Sequence, residues 1–383
     1  MFSIEKFISY LNLLKKILNL FCKLKTIFFL LKLILKILKK IDNILVIRLS
    51  SMGDVILTTS FIRQLRNKFT DTRIDFITSK SFAEIYKFNP NINTLWEYDK
   101  QFKLNEIAEL KNHIKMDLKG RRYDYVIDLQ KNLRSKILRS GLGDKYLLIN
   151  KLRLNKLSLV YFKKPILKKI IPIPELYRLT ANPLLVDDDG EGLEIWLKSD
   201  PKYYFTPKNS DSKKMKIAVA PGAYHFTKRW QKEKYLELIK NLKNNFNAEI
   251  ILIGGLQDKE VTDWLKSQID FEYEDFSDST SILKTTEAID NSDLLISNDT
   301  GVIHIAAARK VPVLAIFGST VKEFGFLPFR TKYKIVEKGV SCRPCTHYGL
   351  DKCPRGHFDC MSKITVDDVL KAFSNFVETE LEF

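Results

Sequence analysis

Two stretches of this 383-residue chain carry side chains that could do chemistry. In the first, a β-rich run over residues 44–49 is broken by Ser50, Ser51, Met52, Gly53 and Asp54. Leu57, Phe61, Leu65 and Phe69 then recur every four residues, as one face of a helix would. In the second, the apolar run 294–296 leads into Ser297, Asn298, Asp299, Thr300, Gly301 and His304, and a further apolar run follows at 313–317. Each reads as strand, polar turn and helix. Such a turn sets carboxylate and hydroxyl groups beside a helix N-terminus, whose unpaired N–H groups and partial positive charge suit a sugar nucleotide diphosphate. An Asp or Thr that caps a helix and binds nothing leaves the same pattern. Neither turn is G-x-G-x-x-G or a P-loop, so no dinucleotide dehydrogenase or NTPase fingerprint is present.

Further polar groups fall at the ends of other apolar runs. Run 216–220 is followed by Pro221-Gly222-Ala223 and then by Thr227, Lys228, Arg229 and Trp230, ahead of a helix from about Glu233. A Lys and an Arg just beyond a strand can neutralise a leaving diphosphate, and Thr227 can donate a hydrogen bond to it. Run 249–253 ends in Gly254-Gly255, with Asp258 and Glu260 as alternative acceptors for ribose hydroxyls. Run 125–129 leads to Gln130, Asn132, Arg134 and Ser135. In parallel sheets, ligands sit at the carboxyl ends of the strands, where all of these groups lie.

Taken in order, Arg48-Leu49-Ser50-Ser51-Met52-Gly53-Asp54, Asp128-Leu129-Gln130 with Asn132 and Arg134-Ser135, Lys228-Arg229-Trp230, and Asn298-Asp299-Thr300-Gly301 with His304 resemble the bacterial heptosyltransferases of glycosyltransferase family 9. Those enzymes add heptose from ADP-heptose to the inner core of lipopolysaccharide. The resemblance runs from about Asn43 to the end of the chain. It implies an α/β fold of the GT-B type, two Rossmann-like doubly wound domains facing a cleft. Residues 43–207 would bind acceptor and residues 215–383 the nucleotide sugar, with 208–214 as linker and the last helix, about 366–378, packed back toward the first half.

The chemistry it implies is one in-line displacement with inversion and no required cofactor. Asp54 would be the general base and Lys228 would stabilise the departing ADP. Ser51, Met52, Gly53, Thr227, Asp258, Asp299, Thr300, Gly301 and His304 would contact the donor, and Asn132 and Arg134 the acceptor. Two other readings stand beside this one: a family 9 transferase for another nucleotide sugar or surface glycan, and a membrane-docked nucleotide-sugar-binding protein without catalysis. Intact Asp54 and Lys228 count against the second. A pure cap role for Asp54 and a core role for His304 also stay open.

The composition, 45% hydrophobic and 28% charged, is that of a globular protein, and the length allows two domains. The formal charge of +17 is concentrated in two segments. Residues 1–43 hold nine Lys against Glu5 and Asp42; residues 131–169 hold twelve Lys or Arg against Asp144 alone. Polyanions are the expected partners. Neither segment interleaves aromatic residues as a stacking platform does, so nucleic acid is not expected. Residues 131–169 suit an acceptor carrying phosphates and acidic sugars, or simply a solvated face.

Over residues 1–42, lysines interrupt the apolar sequence before any uncharged run reaches the ~18–20 residues of a span. Lys25, Lys32, Lys36, Lys39 and Lys40 share one side of a helical wheel. A basic amphipathic helix on an anionic membrane surface is expected, making the protein cytoplasmic and peripheral on the inner face of the inner membrane. Packing on the catalytic body and spanning are the alternatives.

Cys342, Cys345, Cys353 and Cys360, with His347 and His357 among them, form a Cys-rich loop over 341–360. Their spacing suits a structural zinc. Free thiols are the other reading, since a cytosolic compartment disfavours stable disulfides.

Overall fold

The computed structural model describes residues 40–99, 104–200 and 214–381. The chain divides into two compact units, 1–42 and 43–383. The basic helix expected over 1–42 and the linker expected over 208–214 lie outside the described residues, apart from 40–42 and 214.

Short apolar runs bounded by polar turns become parallel strands, the central ones buried on both faces. In the first half, β1 (Asn43–Ile47), β2 (Arg73–Ser79), β3 (Thr94–Tyr98), β4 (Tyr123–Asp128) and β5 (Gly143–Leu148) lie in the order β3-β2-β1-β4-β5. In the second, β6 (Lys216–Ala220), β7 (Glu249–Ile253), β8 (Glu274–Phe276), β9 (Leu294–Asn298), β10 (Val313–Phe317) and β11 (Tyr333–Glu337) lie in the order β8-β7-β6-β9-β10-β11. The register sets Val46 between Phe76 and Ile127, and Val219 between Leu252 and Ile296. Strand order reverses between β1 and β4 and again between β6 and β9. In doubly wound sheets ligands bind beyond the strand ends at such reversals.

The helices of the first half are α1 (Met52–Ile56), α2 (Thr59–Lys68), α3 (Leu104–Asp117), α4 (Leu133–Arg139), α5 (Arg153–Phe162) and α6 (Ile173–Thr180). Those of the second are α7 (Lys232–Phe246), α8 (Lys259–Gln268), α9 (Ile282–Asp290), α10 (Val302–Ala308), α11 (Asp359–Ser362) and α12 (Val366–Phe376). Helix α7 shows why they form where they do. Tyr235, Leu238, Ile239 and Leu242 recur at helical spacing and are all buried, and the helix stops at Asn247, whose φ of 50° is a left-handed cap.

The last helix does not pack back on the first half. Thr365 opens α12 by accepting a hydrogen bond from the Asp368 amide at 3.1 Å, and the apolar face Val366, Val369, Phe373 and Phe376 joins the core of the second half. Phe373 meets Phe246 of α7 edge-on at 5.0 Å. An apolar stripe of that width has nowhere to go but the nearest core.

Other groups join the halves. Asp189 and Glu194 tie the acidic run to the first half through Arg63 of α2, at 2.8 and 3.0 Å, and neighbouring residues reach the second. Asp188 accepts from Arg330 at 2.8 Å, and Asp200 pairs with Arg309 at 2.7 Å. Glu84 accepts from the Ser281 hydroxyl (2.9 Å) and the Leu283 amide (3.2 Å), at the start of α9. The acidic run that reads in sequence as an exit from the first half is thus a rivet between the two.

Candidate active site

The first corner is built where β1 ends. Gln130, from the end of β4, accepts from the amides of Leu49 (3.0 Å) and Ser50 (3.1 Å) and so fixes the turn. Arg48 is nearly buried; its Nη1 donates to the Leu129 carbonyl at 2.6 Å and its guanidinium lies 5.7 Å from the Tyr177 ring centre. Its Nη2 stands 2.8 Å from Asp54 Oδ1. The other carboxylate oxygen, Oδ2, accepts from the Ser51 amide (3.2 Å) and hydroxyl (2.9 Å). The Tyr177 hydroxyl completes the set, 3.3 Å from Oδ1. Burial pushes the Asp54 carboxyl up, but the Arg48 charge and the Ser51 hydrogen bonds outweigh it and hold the group below its ordinary value. Asp54 is therefore an ionised, oriented carboxylate, whose Oδ2 also closes a capping box with Ser51 at the start of α1.

The second corner joins two strand ends. Asn298, the last residue of β9, donates to the Pro221 carbonyl (2.7 Å) beyond β6 and accepts from the Trp230 amide (3.2 Å). That staple sets Lys228 against Asp299, with Nζ 2.7 Å from Oδ2. The Thr320 hydroxyl donates to the same oxygen. Burial raises the Asp299 carboxyl, and Lys228 and Thr320 together bring it below its ordinary value. Thr300 is half-buried, its hydroxyl 3.4 Å from the Val302 amide. His304, one turn into α10, is buried with an unpartnered Nδ1. Burial pushes its imidazole down to about 4, so it is neutral at pH 7.

The two corners meet. Helices α1 and α10 pack together, and their glycines make the contact. A Cβ on Gly53 would lie 2.9 Å from His304 Cδ2 and 3.3 Å from the Gly301 Cα. A Cβ on Gly301 would lie 2.5 Å from Met52 Cε and 3.2 Å from the Gly53 nitrogen. Only glycine permits so close an approach without displacing neighbours. The turn carrying Ser51, Met52, Gly53 and Asp54 therefore abuts the turn carrying Asp299, Thr300, Gly301 and His304, to which Lys228 is paired.

The remaining candidates lie around it. Asp258 accepts from the Gly255 amide at 3.0 Å and fills the space over Gly222, where a Cβ would fall 2.1 Å from its Oδ1. That Oδ1 is buried without a partner, and burial raises the carboxyl. Glu260 is exposed on the first turn of α8. Thr227 is buried, its hydroxyl accepting from the Leu350 amide (2.8 Å) and the Ser319 hydroxyl (3.0 Å), so it ties the Cys-rich loop to the end of β10. Asn132 caps α4 by accepting from the Ser135 amide at 2.9 Å, and Arg134 is exposed on the same turn. Arg48, Gln130 and Asn298 are positioning residues that stood inside recognisable motifs but went unassigned in the sequence. Tyr177 carried no signal at all.

In the Cys-rich loop, Cys342 Sγ is 3.8 Å from His357 Nε2, and the Cys345 thiol donates to the Cys342 carbonyl at 3.6 Å. Burial, with Cys345, Cys342 and Cys353 nearby, pushes the Cys360 thiol up to about 11. Among the described residues no three His, Cys, Asp or Glu side chains are arranged to hold a metal ion. Nor, among them, is any helix long and apolar enough to cross a membrane.

Comparison with known proteins follows the same lines. Lipopolysaccharide core heptosyltransferase OpsX of Haemophilus influenzae is 22% identical over 279 residues, covering 72% of this chain and 78% of its own. Lipooligosaccharide heptosyltransferase 2 of Campylobacter jejuni is 22% identical over 332 residues, covering 85% and 96%. Among solved structures, a family 9 glycosyl transferase from Veillonella parvula superposes with a TM-score of 0.69 at 19% identity, over 88% of this chain and 98% of its own. The E. coli heptosyltransferase WaaC with ADP gives 0.64 at 20% identity, over 87% and 99%. These likenesses establish the GT-B fold. The profile of glycosyltransferase family 9 (heptosyltransferase) matches residues 112–352, well over half of the chain; the Asp54 corner precedes the matched span. The chain belongs to glycosyltransferase family 9, the heptosyltransferases.

Proposed function

We propose that this protein is an inverting heptosyltransferase that moves heptose from ADP-heptose to the inner core of lipopolysaccharide. The observation that carries the reading is the meeting of two ion pairs of opposite presentation, Arg48–Asp54 and Lys228–Asp299, across the Gly53–Gly301 contact. The names of the relatives supply the donor and the acceptor class.

In the reaction, the acceptor hydroxyl attacks the anomeric carbon of the heptose. As that C–O bond forms, the bond from the anomeric carbon to the diphosphate oxygen breaks, and configuration inverts. Asp54 takes the hydroxyl proton, and Arg48 and Ser51 fix its orientation. Lys228 meets the charge growing on the ADP, with amides of the α10 N-terminus beside it. Neutral His304 sits where the corners meet. Asp258, with its unpartnered oxygen at the mouth of β6 and β7, takes the ribose hydroxyls, and Thr227 positions the loop above Lys228. Asn132 and Arg134 face the acidic acceptor. Residues 43–207 form the acceptor half and 215–383 the donor half.

The acceptor is lipid-linked, so we place the enzyme on the cytoplasmic face of the inner membrane as a peripheral protein, with residues 1–42 as one anchor. The spacing of the four thiols of loop 341–360 suits a structural zinc, but among the described residues they are not arranged to hold one, so we read them as free thiols; no reaction step runs through the loop. Purified protein free of zinc and unmoved by chelator supports that reading. Zinc near one per chain by elemental analysis, with a melting point lowered by chelator, would overturn it.

Incubation with ADP-heptose and heptose-free inner-core acceptor tests the function. Gain of a heptose on the acceptor, with release of ADP, is expected. Hydrolysis without transfer, or transfer from another nucleotide sugar alone, would overturn it.

A further inference from the structure

Helix α5 leaves an apolar face uncovered. Leu154, Leu157 and Tyr161 fall three and four residues apart, on one side of the helix, and are 75%, 50% and 73% exposed. Phe162 at its end is 75% exposed, and Ile166 just beyond it 61%. Large apolar side chains gathered in this way mark an interaction surface rather than ordinary surface scatter.

The opposite side of the helix is fixed. Leu159 is buried, Lys163 Nζ donates to the Pro344 carbonyl at 2.7 Å, and Lys156 lies 5.6 Å from the Phe326 ring centre. The helix is thus held against the second half with its apolar stripe outward. Along this segment the charge is of one sign only. Residues 151–169 hold seven Lys or Arg and no acidic residue, with Arg153, Lys164, Lys168 and Lys169 exposed.

We infer that α5 and the following loop are a bilayer-docking surface, in which the stripe from Leu154 to Ile166 enters an anionic leaflet and the segment's Lys and Arg side chains meet its phosphates. An apolar face with an aromatic end, in a segment whose charge is wholly basic, is the composition of interfacial helices. A protein partner of the same area would have to be both apolar and acidic around its edge, whereas an anionic leaflet supplies both properties by its nature. This contact belongs to the folded body and is additional to residues 1–42.

The test uses the full chain and needs neither donor nor acceptor, so its failure leaves the transferase reading untouched. Binding to phosphatidylglycerol–phosphatidylethanolamine vesicles is measured by sedimentation, with phosphatidylcholine vesicles as the neutral comparison. Leu154→Ser, Tyr161→Ser and Phe162→Ser combined should weaken partition into the anionic vesicles by about tenfold or more, with an unchanged melting point as the check of folding. Amide exchange over residues 153–166 should slow when anionic vesicles are added, and less so in high salt or with neutral vesicles. Partition of the triple variant equal to that of the parent would overturn the inference. So would vesicle-induced slowing confined to residues 1–42. Slowing over 153–166 that follows protein concentration without vesicles would assign the face to a second copy of the chain, and equally overturn it.

Discussion

The two corners are built alike and present opposite charges. At the first, the carboxylate of Asp54 is the more exposed member of its pair, 18% against 10% for Arg48. At the second it is the cation, Lys228 at 16% against 8% for Asp299. In each pair the less exposed partner holds the more exposed one in place. Where each cation comes from also differs. Arg48 follows the same strand that leads to Asp54, whereas Lys228 arrives from the end of β6 to meet an acid at the end of β9. In the proposed mechanism one corner accepts a proton and the other receives negative charge, according to which member of its ion pair is the more exposed.

The largest expected effect removes the exposed anion. Asp54→Asn keeps the shape but not the basicity, and turnover should fall by roughly 10²–10⁴. A rate within a few-fold of the parent would make Asp54 a helix cap and end the comparison. Removing the exposed cation comes next. Lys228→Ala should lower kcat/KM by about 10²-fold or more, because one charge serves both the bound diphosphate and the departing one. Steady-state kinetics with varied donor separates the two parts.

The contact between the corners is tested by adding one methyl group. Gly53→Ala brings a Cβ to 3.3 Å from the Gly301 Cα, a backbone atom that cannot swing aside. We expect about a tenfold loss of activity in a protein that still folds, since small displacements at a reacting centre are felt strongly. Full activity would mean that the corners work apart.

His304 gives the smallest effect, read as stability against pH. Its folded value of about 4 lies below the ordinary 6.5, so the unfolded chain takes up a proton first as pH falls. Its contribution is complete above pH 6.5 and is lost progressively down to about pH 4, by up to ~3 kcal/mol. Asp54 and Asp299, with lowered values, lose theirs only below the ordinary carboxylate range. His304→Gln should flatten the decline of melting temperature between pH 6.5 and 4; an unchanged slope would mean that His304 is solvated and outside the contact between the corners.

Much of this was legible before the structure. Strands buried on both faces must be apolar runs, so β1, β6, β7, β9 and β10 and the polar turns beyond them could be read directly. Asp54, Lys228 and Asp299 stood in those turns. Three things could not be read. The Gly53–Gly301 contact depends on how two halves close, which no local pattern records. Tyr177 reaches Asp54 from a helix with no motif of its own. The direction of α12 was misjudged because its face, Val366 to Phe376, says only that it is covered, not by which half. Thr227 shows a subtler gap: a hydroxyl beside a lysine suggests phosphate, but its position also lets it hold the loop at Leu350.

The central claim is that Asp54 serves the acceptor and Lys228 the donor, and calorimetric titration with ADP tests it most directly. The account predicts that Asp54→Asn binds ADP within about threefold of the parent while Lys228→Ala binds about tenfold more weakly or worse. Equal loss in both variants, or parental affinity in Lys228→Ala, would contradict it.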